Sequence, residues 1–201
     1  MNAVIVTLSI IIAILLIFVV VKSIHNTMEV RAADGEIYNV QRYANYKEAA
    51  NNLSKTHQSV IMLLRHMKNK YANTIEWRRV ERLLNNYNPD NIVENNPKNL
   101  EGTTSYTDHK GQTFVICLRK REKPTILHDL NILMFVTVHE LGHLMSATYG
   151  HNDEFWSNFK FILQNAADIG LYVPEDYASN PLLYCGLEIT YNPLYDKNLK
   201  A

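Results

Sequence analysis

The segment that runs from His128 or Asp129 to Tyr149 is strongly apolar, and yet its interior carries His139, Glu140 and His143. Its apolar residues fall on most faces of a helix, which predicts a helix buried at the centre of a domain and ended by Gly150. Imidazole and carboxylate groups that are buried without a partner cost several kcal/mol. The chain must therefore fold so that these side chains share a partner, and no other feature constrains its structure as strongly.

The polar residues of this helix form the sequence His139-Glu140-Leu141-Gly142-His143. Residues four apart lie on one face of a helix, so the two imidazoles can bind one metal ion. Glu140 lies about 100° around the helix from His139, near the ion but not needed as a ligand, where it can take a proton from water. The pattern is typical of catalytic zinc sites, and it predicts Zn²⁺ as the cofactor and Glu140 as the catalytic residue.

A catalytic zinc site needs a third protein ligand and one open position. His151 is the predicted third ligand, because a turn at Gly150 can fold its side chain back over the end of the helix. Asp168, about one helix further along the chain, stays open as an alternative, with Glu175 behind it. A cap on the last carbonyls of the helix is the alternative role for His151.

Residues 4–21 form a second apolar run, with no charged residue in eighteen positions. At about 1.5 Å per residue a helix of this length spans roughly 27 Å, close to the thickness of a bilayer core, and this predicts a transmembrane anchor. A cleaved signal peptide is disfavoured, because no basic residue precedes the run. Lys22 and Arg31 follow it, so the positive-inside rule predicts a single-pass membrane protein with its folded domain on the cytoplasmic side.

The periodicity of the remaining chain predicts an α+β domain. Residues 1–24 are assigned to the anchor, 25–37 to a polar linker and 38–201 to the domain. Besides the central helix, the predicted elements are a long helix over 38–71, a helix that begins near Asn73 or Thr74 and ends before Pro89, a buried strand over 113–118 within a hairpin, a helix over 154–167, and a short strand over 187–190.

The charge and the cysteines exclude several classes of protein. With 20 basic and 20 acidic residues the net charge is zero, so no nucleic-acid partner is expected. Two cysteines, Cys117 and Cys185, are too few for a secreted disulfide scaffold, and two reduced thiols are favoured over one disulfide. Cys185 as a nucleophile or switch thiol is less favoured than Cys185 as a small buried residue.

The metal motif, together with the residues around it, resembles the WLM metallopeptidases, which are related to the SprT-like proteins. The matching residues are His139-Glu-Leu-Gly-His143, Gly150-His151, Phe155-Trp156, Tyr106, Lys110-Gly111, Ile116-Cys-Leu-Arg119, Tyr184-Cys-Gly186 and Asn192-Pro193. The gap between His143 and His151 is longer than in many members of that family. The combination is most similar to small WLM-type proteins of large DNA viruses. The resemblance implies a minimal zincin-like fold, in which an active-site helix lies under a small sheet whose edge strand can pair with a substrate.

These residues lead us to expect a membrane-anchored zinc metallopeptidase that acts on a protein or peptide substrate. His139, His143 and His151 bind the metal in this hypothesis, and Glu140 acts as general base on a zinc-activated water. Tyr184 is the candidate that stabilises the oxyanion.

Residues 113–118 are the candidate strand for pairing with a substrate chain, and residues 4–21 are the candidate contact with the lipid bilayer. The alternative function is a non-catalytic zincin-like scaffold or structural membrane protein, in a virion or a membrane complex. If the protein is viral, the expected location of its folded domain is the virion interior instead of the cytoplasmic side. A role in DNA repair is disfavoured by the neutral charge.

Overall fold

A computed structural model describes residues 2–24, 27–88, 92–96, 104–108, 111 and 113–201. These residues form an α+β architecture in which helices pack on one mixed sheet, with two short hairpins beside it. The side chains of residues 2–4, 17–24 and 108 lie outside the described part.

Among the described residues, the main sheet has five strands: β1 (Thr27–Arg31), β2 (Ile37–Gln41), β3 (Ile92–Glu94), β4 (Tyr106–Asp108) and β5 (Thr113–Ile116). Their order in space is β1-β2-β3-β5-β4, with β2, β3 and β5 parallel and the two outer strands antiparallel to their neighbours. Because β5 is paired on both sides, the prediction that residues 113–118 pair with a substrate is wrong. Strand β4 is the outer strand at that end of the sheet.

The helices are α1 (Asn2–Ile24), α2 (Tyr46–Tyr71), α3 (Trp77–Asn86), α4 (Leu130–Met145) and α5 (Asp153–Asp168), followed by a short 3₁₀ helix at Pro193–Tyr195. Helix α4 begins as predicted, because the Asp129 side chain accepts a hydrogen bond from the backbone N–H of Ile132 at 3.0 Å. It ends at Met145 rather than Tyr149. There the Ser146 hydroxyl donates to the carbonyl of Gly142 at 2.8 Å, which satisfies one of the last helical acceptors.

Helix α4 lies at the centre of the fold. Helices α2, α3 and α5 and strand β4 all pack against it, so its apolar side chains are buried on different faces, apart from Leu130 in the first turn. This arrangement explains why the helix is apolar all round, as the sequence indicated.

The predicted membrane anchor is corrected by the structure. Within the described part of the chain, no helix combines the length and the apolar character needed to cross a membrane. The predictions of a single-pass membrane protein, of bilayer contact through residues 4–21 and of a domain on the cytoplasmic side are therefore not retained.

The predicted linker over residues 25–37 also differs from the structure. Residues 27–31 form β1, which pairs with β2 in register from Thr27 opposite Gln41 to Arg31 opposite Ile37, while residues 25 and 26 lie outside the described part. Buried Tyr38 and Val40 alternate with exposed residues along β2, and this is the period of a half-buried strand. Helix α2 therefore begins at Tyr46 rather than at residue 38.

A disulfide joins Cys117 to Cys185, so the prediction of two reduced thiols is wrong. Cys117 follows β5, and Cys185 lies in the turn of a hairpin formed by β8 (Leu182–Tyr184) and β9 (Leu187–Ile189). The other hairpin is formed by β6 (Arg119–Lys120) and β7 (Lys123–Leu127). The bond fixes the β8–β9 hairpin to the end of strand β5.

We expect the disulfide to stabilise the folded chain by about 4 kcal/mol, because it closes a loop between residues 68 positions apart and so restricts the unfolded state. Urea unfolding with and without a reductant measures this difference. The control is the double variant Cys117→Ser/Cys185→Ser, whose unfolding midpoint must not respond to the reductant. Equal midpoints for the oxidised and reduced wild-type chain would contradict the prediction.

Candidate metal centre

Helix α4 brings the first two predicted ligands together. The rings of His139 and His143, one helical turn apart, have centroids 5.1 Å from each other, and both side chains are half-buried. The remaining faces of the helix are occupied by core side chains, so these two imidazoles lie on the face that borders a cleft.

His151 lies beside them although it belongs to the segment after the helix. Its Nε2 atom is 3.0 Å from Nε2 of His139, and one nitrogen from each of the three histidines lies within 4.8 Å of the other two. Three nitrogens bound to one tetrahedral zinc at about 2.0–2.1 Å are separated by about 3.3 Å. The three rings are therefore arranged as a set of metal ligands with small adjustments of their side chains.

The loop that carries His151 is fixed by the carboxylate of Glu154, in the first turn of α5. This carboxylate accepts hydrogen bonds from the backbone N–H groups of Ala147 and Thr148, at 2.9 and 3.2 Å, and from the Thr148 hydroxyl at 2.7 Å. Arg82 of helix α3 pairs with it at 3.3 Å and also donates to the carbonyl of Met145. Burial raises the pKa of Glu154, but these donors outweigh it and hold the pKa below its ordinary value.

The Phe155 ring contacts all three imidazoles. Its ring stacks on His143 with centroids 4.3 Å apart, and it meets His151 at 4.6 Å and His139 at 4.8 Å. This packing depends on Gly142, because a Cβ atom there would lie 3.1 Å from the Phe155 ring. The glycine inside the metal motif thus permits the close approach of α5 to α4.

The three histidines are held in the neutral form that binds metal. Burial, with some repulsion from His143 and His151, lowers the pKa of His139 to about 3. Burial, with repulsion from His151, lowers the pKa of His143 to about 4, and burial also lowers the pKa of His151. At neutral pH each ring therefore has a nitrogen lone pair available for a cation.

Glu140 lies next to this cluster and is only 6% exposed. Burial raises its pKa to about 8, opposed only by a hydrogen bond from the backbone N–H of Thr107 on β4. A carboxylate in such surroundings keeps its proton at neutral pH unless a positive charge lies nearby. The buried glutamate and the three neutral imidazoles therefore fit a divalent cation, which would supply that charge.

Tyr184, the predicted oxyanion stabiliser, lines the cleft but its hydroxyl is already engaged. It donates to the backbone carbonyl of Cys117 at 2.7 Å and lies 2.7 Å from the Ser105 hydroxyl. Burial is the main cause that raises its pKa well above the ordinary value. In this arrangement the side chain forms part of the cleft wall, and its O–H proton points to the protein rather than to the metal position.

The cleft above the histidines has a volume of about 830 Å³, within the range of about 300–1,000 Å³ of ligand pockets. One wall is formed by residues 104–107, which include the outer strand β4. Another wall is formed by residues 187–191, which include β9, and the floor is the ligand face of α4.

The alternative third ligands lie elsewhere. Asp168 ends α5 and pairs with Lys70 at 3.2 Å, while Glu175 accepts a hydrogen bond from Asn131. Within the described ranges, the group of His, Cys, Asp and Glu side chains that can hold a metal consists of His139, His143 and His151.

Sequence reasoning missed two parts of this site. It treated Glu154 as an ordinary residue of the first helical turn, and it gave the segment before β5 no role in the cleft. The Glu154 side chain is recognisable only from its contacts with Ala147 and Thr148 in the folded loop. The sequence predicted residues 113–118 as one strand of a hairpin. The other strand of that hairpin is β4, which lies beside Glu140.

Comparison with known proteins finds viral relatives. The chain is 32% identical over 153 residues to "Uncharacterized protein R325" of Acanthamoeba polyphaga mimivirus, a match that covers 76% of each chain. It is 38% identical over 72 residues to "Uncharacterized protein 136R" of Invertebrate iridescent virus 6, covering 36% of this chain and 40% of that one. It is 34% identical over 96 residues to "Uncharacterized protein 042R" of Invertebrate iridescent virus 3, covering 47% and 57%.

No protein-family model matches the chain, and no solved structure matches it significantly.

The contacts of Glu154 lead to a test of the third ligand. Glu154→Gln should weaken zinc binding about tenfold. The glutamine side chain cannot form the ion pair with Arg82, and it accepts weaker hydrogen bonds from the backbone N–H groups of the His151 loop. Titration of the metal-free chain with zinc, in competition with a chelator, measures the affinity.

The matched control is Glu76→Gln, which removes a comparable ion pair with Arg79 on helix α3 at similar exposure. Equal zinc affinities for the two variants would show that Glu154 does not position the ligand loop.

Proposed function

The chain belongs to the same family as the mimivirus protein R325, and we propose that it is a zinc-dependent metallopeptidase, similar to the WLM and SprT-like enzymes. The observation that carries the proposal is the meeting of His139, His143 and His151 beside a buried glutamate. Two histidines and a glutamate on one helix, with a third histidine from the next segment, are the residue types of a hydrolytic zinc site.

Several features of the site support a catalytic role rather than a structural one. A structural zinc site is closed by four protein ligands, whereas this set has three and opens into a cleft. The side chain next to the set is a carboxylate, which is not needed as a ligand and suits proton transfer.

The three histidines would hold the ion through one nitrogen each, while Phe155 and the Glu154 contacts keep their rings in place. When bound, zinc supplies Lewis-acid chemistry and lowers the pKa of water towards about 7. Glu140 accepts the proton of the attacking water at its carboxylate and then gives it to the leaving amine. Glu140 must be ionised for the first of these steps, and a neighbouring cation lowers the pKa that burial raises.

The sheet provides a place for the substrate backbone. Among the described strands, β4 pairs with β5 alone, and residues 104–107, on and before β4, line the cleft. An extended peptide can add to the open edge of such a strand through main-chain hydrogen bonds. Because the Thr107 backbone N–H reaches Glu140, a chain bound along β4 passes directly beside the general base.

The first test is metal content. The purified chain should bind one zinc ion per molecule, and His151→Ala should weaken that binding by at least about 100-fold, because one of three ligands is lost. Elemental mass spectrometry and chelator competition measure the two quantities. A folded chain that binds no zinc would rule out the proposed function.

The second test separates an enzyme from a metal-binding scaffold. Glu140→Gln should keep its zinc and lose about 10²–10⁴-fold in kcat/KM on a library of quenched fluorescent peptides, because the amide cannot accept the proton. Glu175→Gln serves as the control, since its carboxylate lies outside the cleft lining, and it should retain activity. Zinc-loaded wild type without any peptide cleavage would leave the scaffold as the better description.

A further inference from the structure

The two sides of the cleft differ in chemistry. On the side of Glu140 the wall is the backbone and small polar side chains of Thr104, Ser105 and Thr107. On the side of His139 and His151 the wall is largely apolar and includes Trp156, Leu187 and Ile189.

A chain of aromatic rings starts at the metal ligands. The Phe159 ring lies 5.2 Å from His139, and the Trp156 ring lies 5.9 Å from His151. Phe159 continues to Phe135 at 5.2 Å, and Trp156 continues to Tyr191 at 5.2 Å. Trp156 and Tyr191 are partly exposed and line the cleft, while Phe159 and Phe135 are buried behind them, at 1% and 4% exposure.

The β8–β9 hairpin extends this surface with aliphatic side chains. Leu187 pairs with Tyr184 across the hairpin and Ile189 pairs with Leu182, so Leu187, Ile189 and Tyr184 share one face. All three line the cleft. Leu187 is 56% exposed, which leaves a large apolar side chain open at the rim of the site.

The described lining offers no basic side chain away from the metal position. Among the described residues that border the cleft none is lysine or arginine, and the carboxylates are Glu140 and the exposed Glu188. An acidic side chain against this wall would lose its hydration without gaining a basic side chain in return.

We infer that the apolar wall formed by Trp156, Tyr191, Leu187 and Ile189, with Phe159 buried behind it, selects peptides with a large apolar side chain beside the scissile bond. The inference rests on the proposed function, because it names the substrate class of that site. A side chain held against Leu187 and Ile189 is removed from water at the rim of the cleft, while β4 holds the backbone on the opposite side.

The test uses the full zinc-loaded chain and quenched fluorescent peptides that differ at one position next to the cleaved bond. We expect kcat/KM to be at least about tenfold higher with leucine or phenylalanine there than with alanine, since each methylene in an apolar pocket contributes about tenfold or more. Aspartate at the same position should give the lowest value. Mass spectrometry of the products identifies the side of the bond on which the selected residue lies.

Two leucines of one hairpin provide a matched pair of variants. Leu187→Ser should lower the leucine-to-alanine ratio by about tenfold while zinc content stays unchanged. Leu183, 48% exposed on the opposite face of the hairpin and outside the cleft lining, should keep the ratio when changed to serine.

The outcomes are distinct. An apolar preference that falls in Leu187→Ser and not in Leu183→Ser supports the inference. Cleavage without apolar preference, or an equal effect of both variants, overturns it and leaves the peptidase proposal standing. No cleavage of any peptide by the zinc-loaded chain overturns the peptidase proposal, and the inference with it.

Discussion

The close packing of helix α5 against helix α4 at Gly142 is the contact on which the site depends. The missing side chain at this position lets the Phe155 ring reach the level of the metal-binding face, where it stacks on His143. Since the segment between the two helices is short, their packing also decides where that segment passes. His151, which belongs to this segment, is thereby placed beside His139. One residue without a Cβ thus connects helix packing to the geometry of three imidazoles.

The second constraint is electrostatic. The fold places Glu140 and His139 in an apolar interior, where burial disfavours their charged forms. Neutral imidazoles suit this environment, but a glutamate that must accept a proton does not. A cation held by the histidines resolves the conflict, because its charge stabilises the ionised carboxylate next to it. Burial disfavours the ionised form of Glu140 when no cation lies nearby. The same apolar surroundings strengthen the attraction between the ionised carboxylate and a bound cation.

The sequence predicted the parts of the fold that depend on local pattern. The central helix, helix α5, strand β9 and the spacing of His139 and His143 all follow from residue periodicity and capping. Strand β1 was missed because its five residues show little apolar character, and its pairing with β2 gives it a place in the sheet. The Cys117–Cys185 bond was missed because two residues 68 positions apart carry no sign of their contact. The low number of cysteines had supported a reducing compartment, and the paired sulfurs remove that support.

The disulfide has a topological consequence. It closes a covalent ring from Cys117 to Cys185, and the three histidines, Glu140 and the exposed loop between α4 and α5 all lie inside that ring. If a protease, or a second copy of this chain, cut the exposed loop, the fragments would stay linked and the two halves of the histidine cluster would not separate. A nicked molecule would still migrate as one species without reductant and as two with it, so migration under non-reducing conditions does not by itself report an intact backbone.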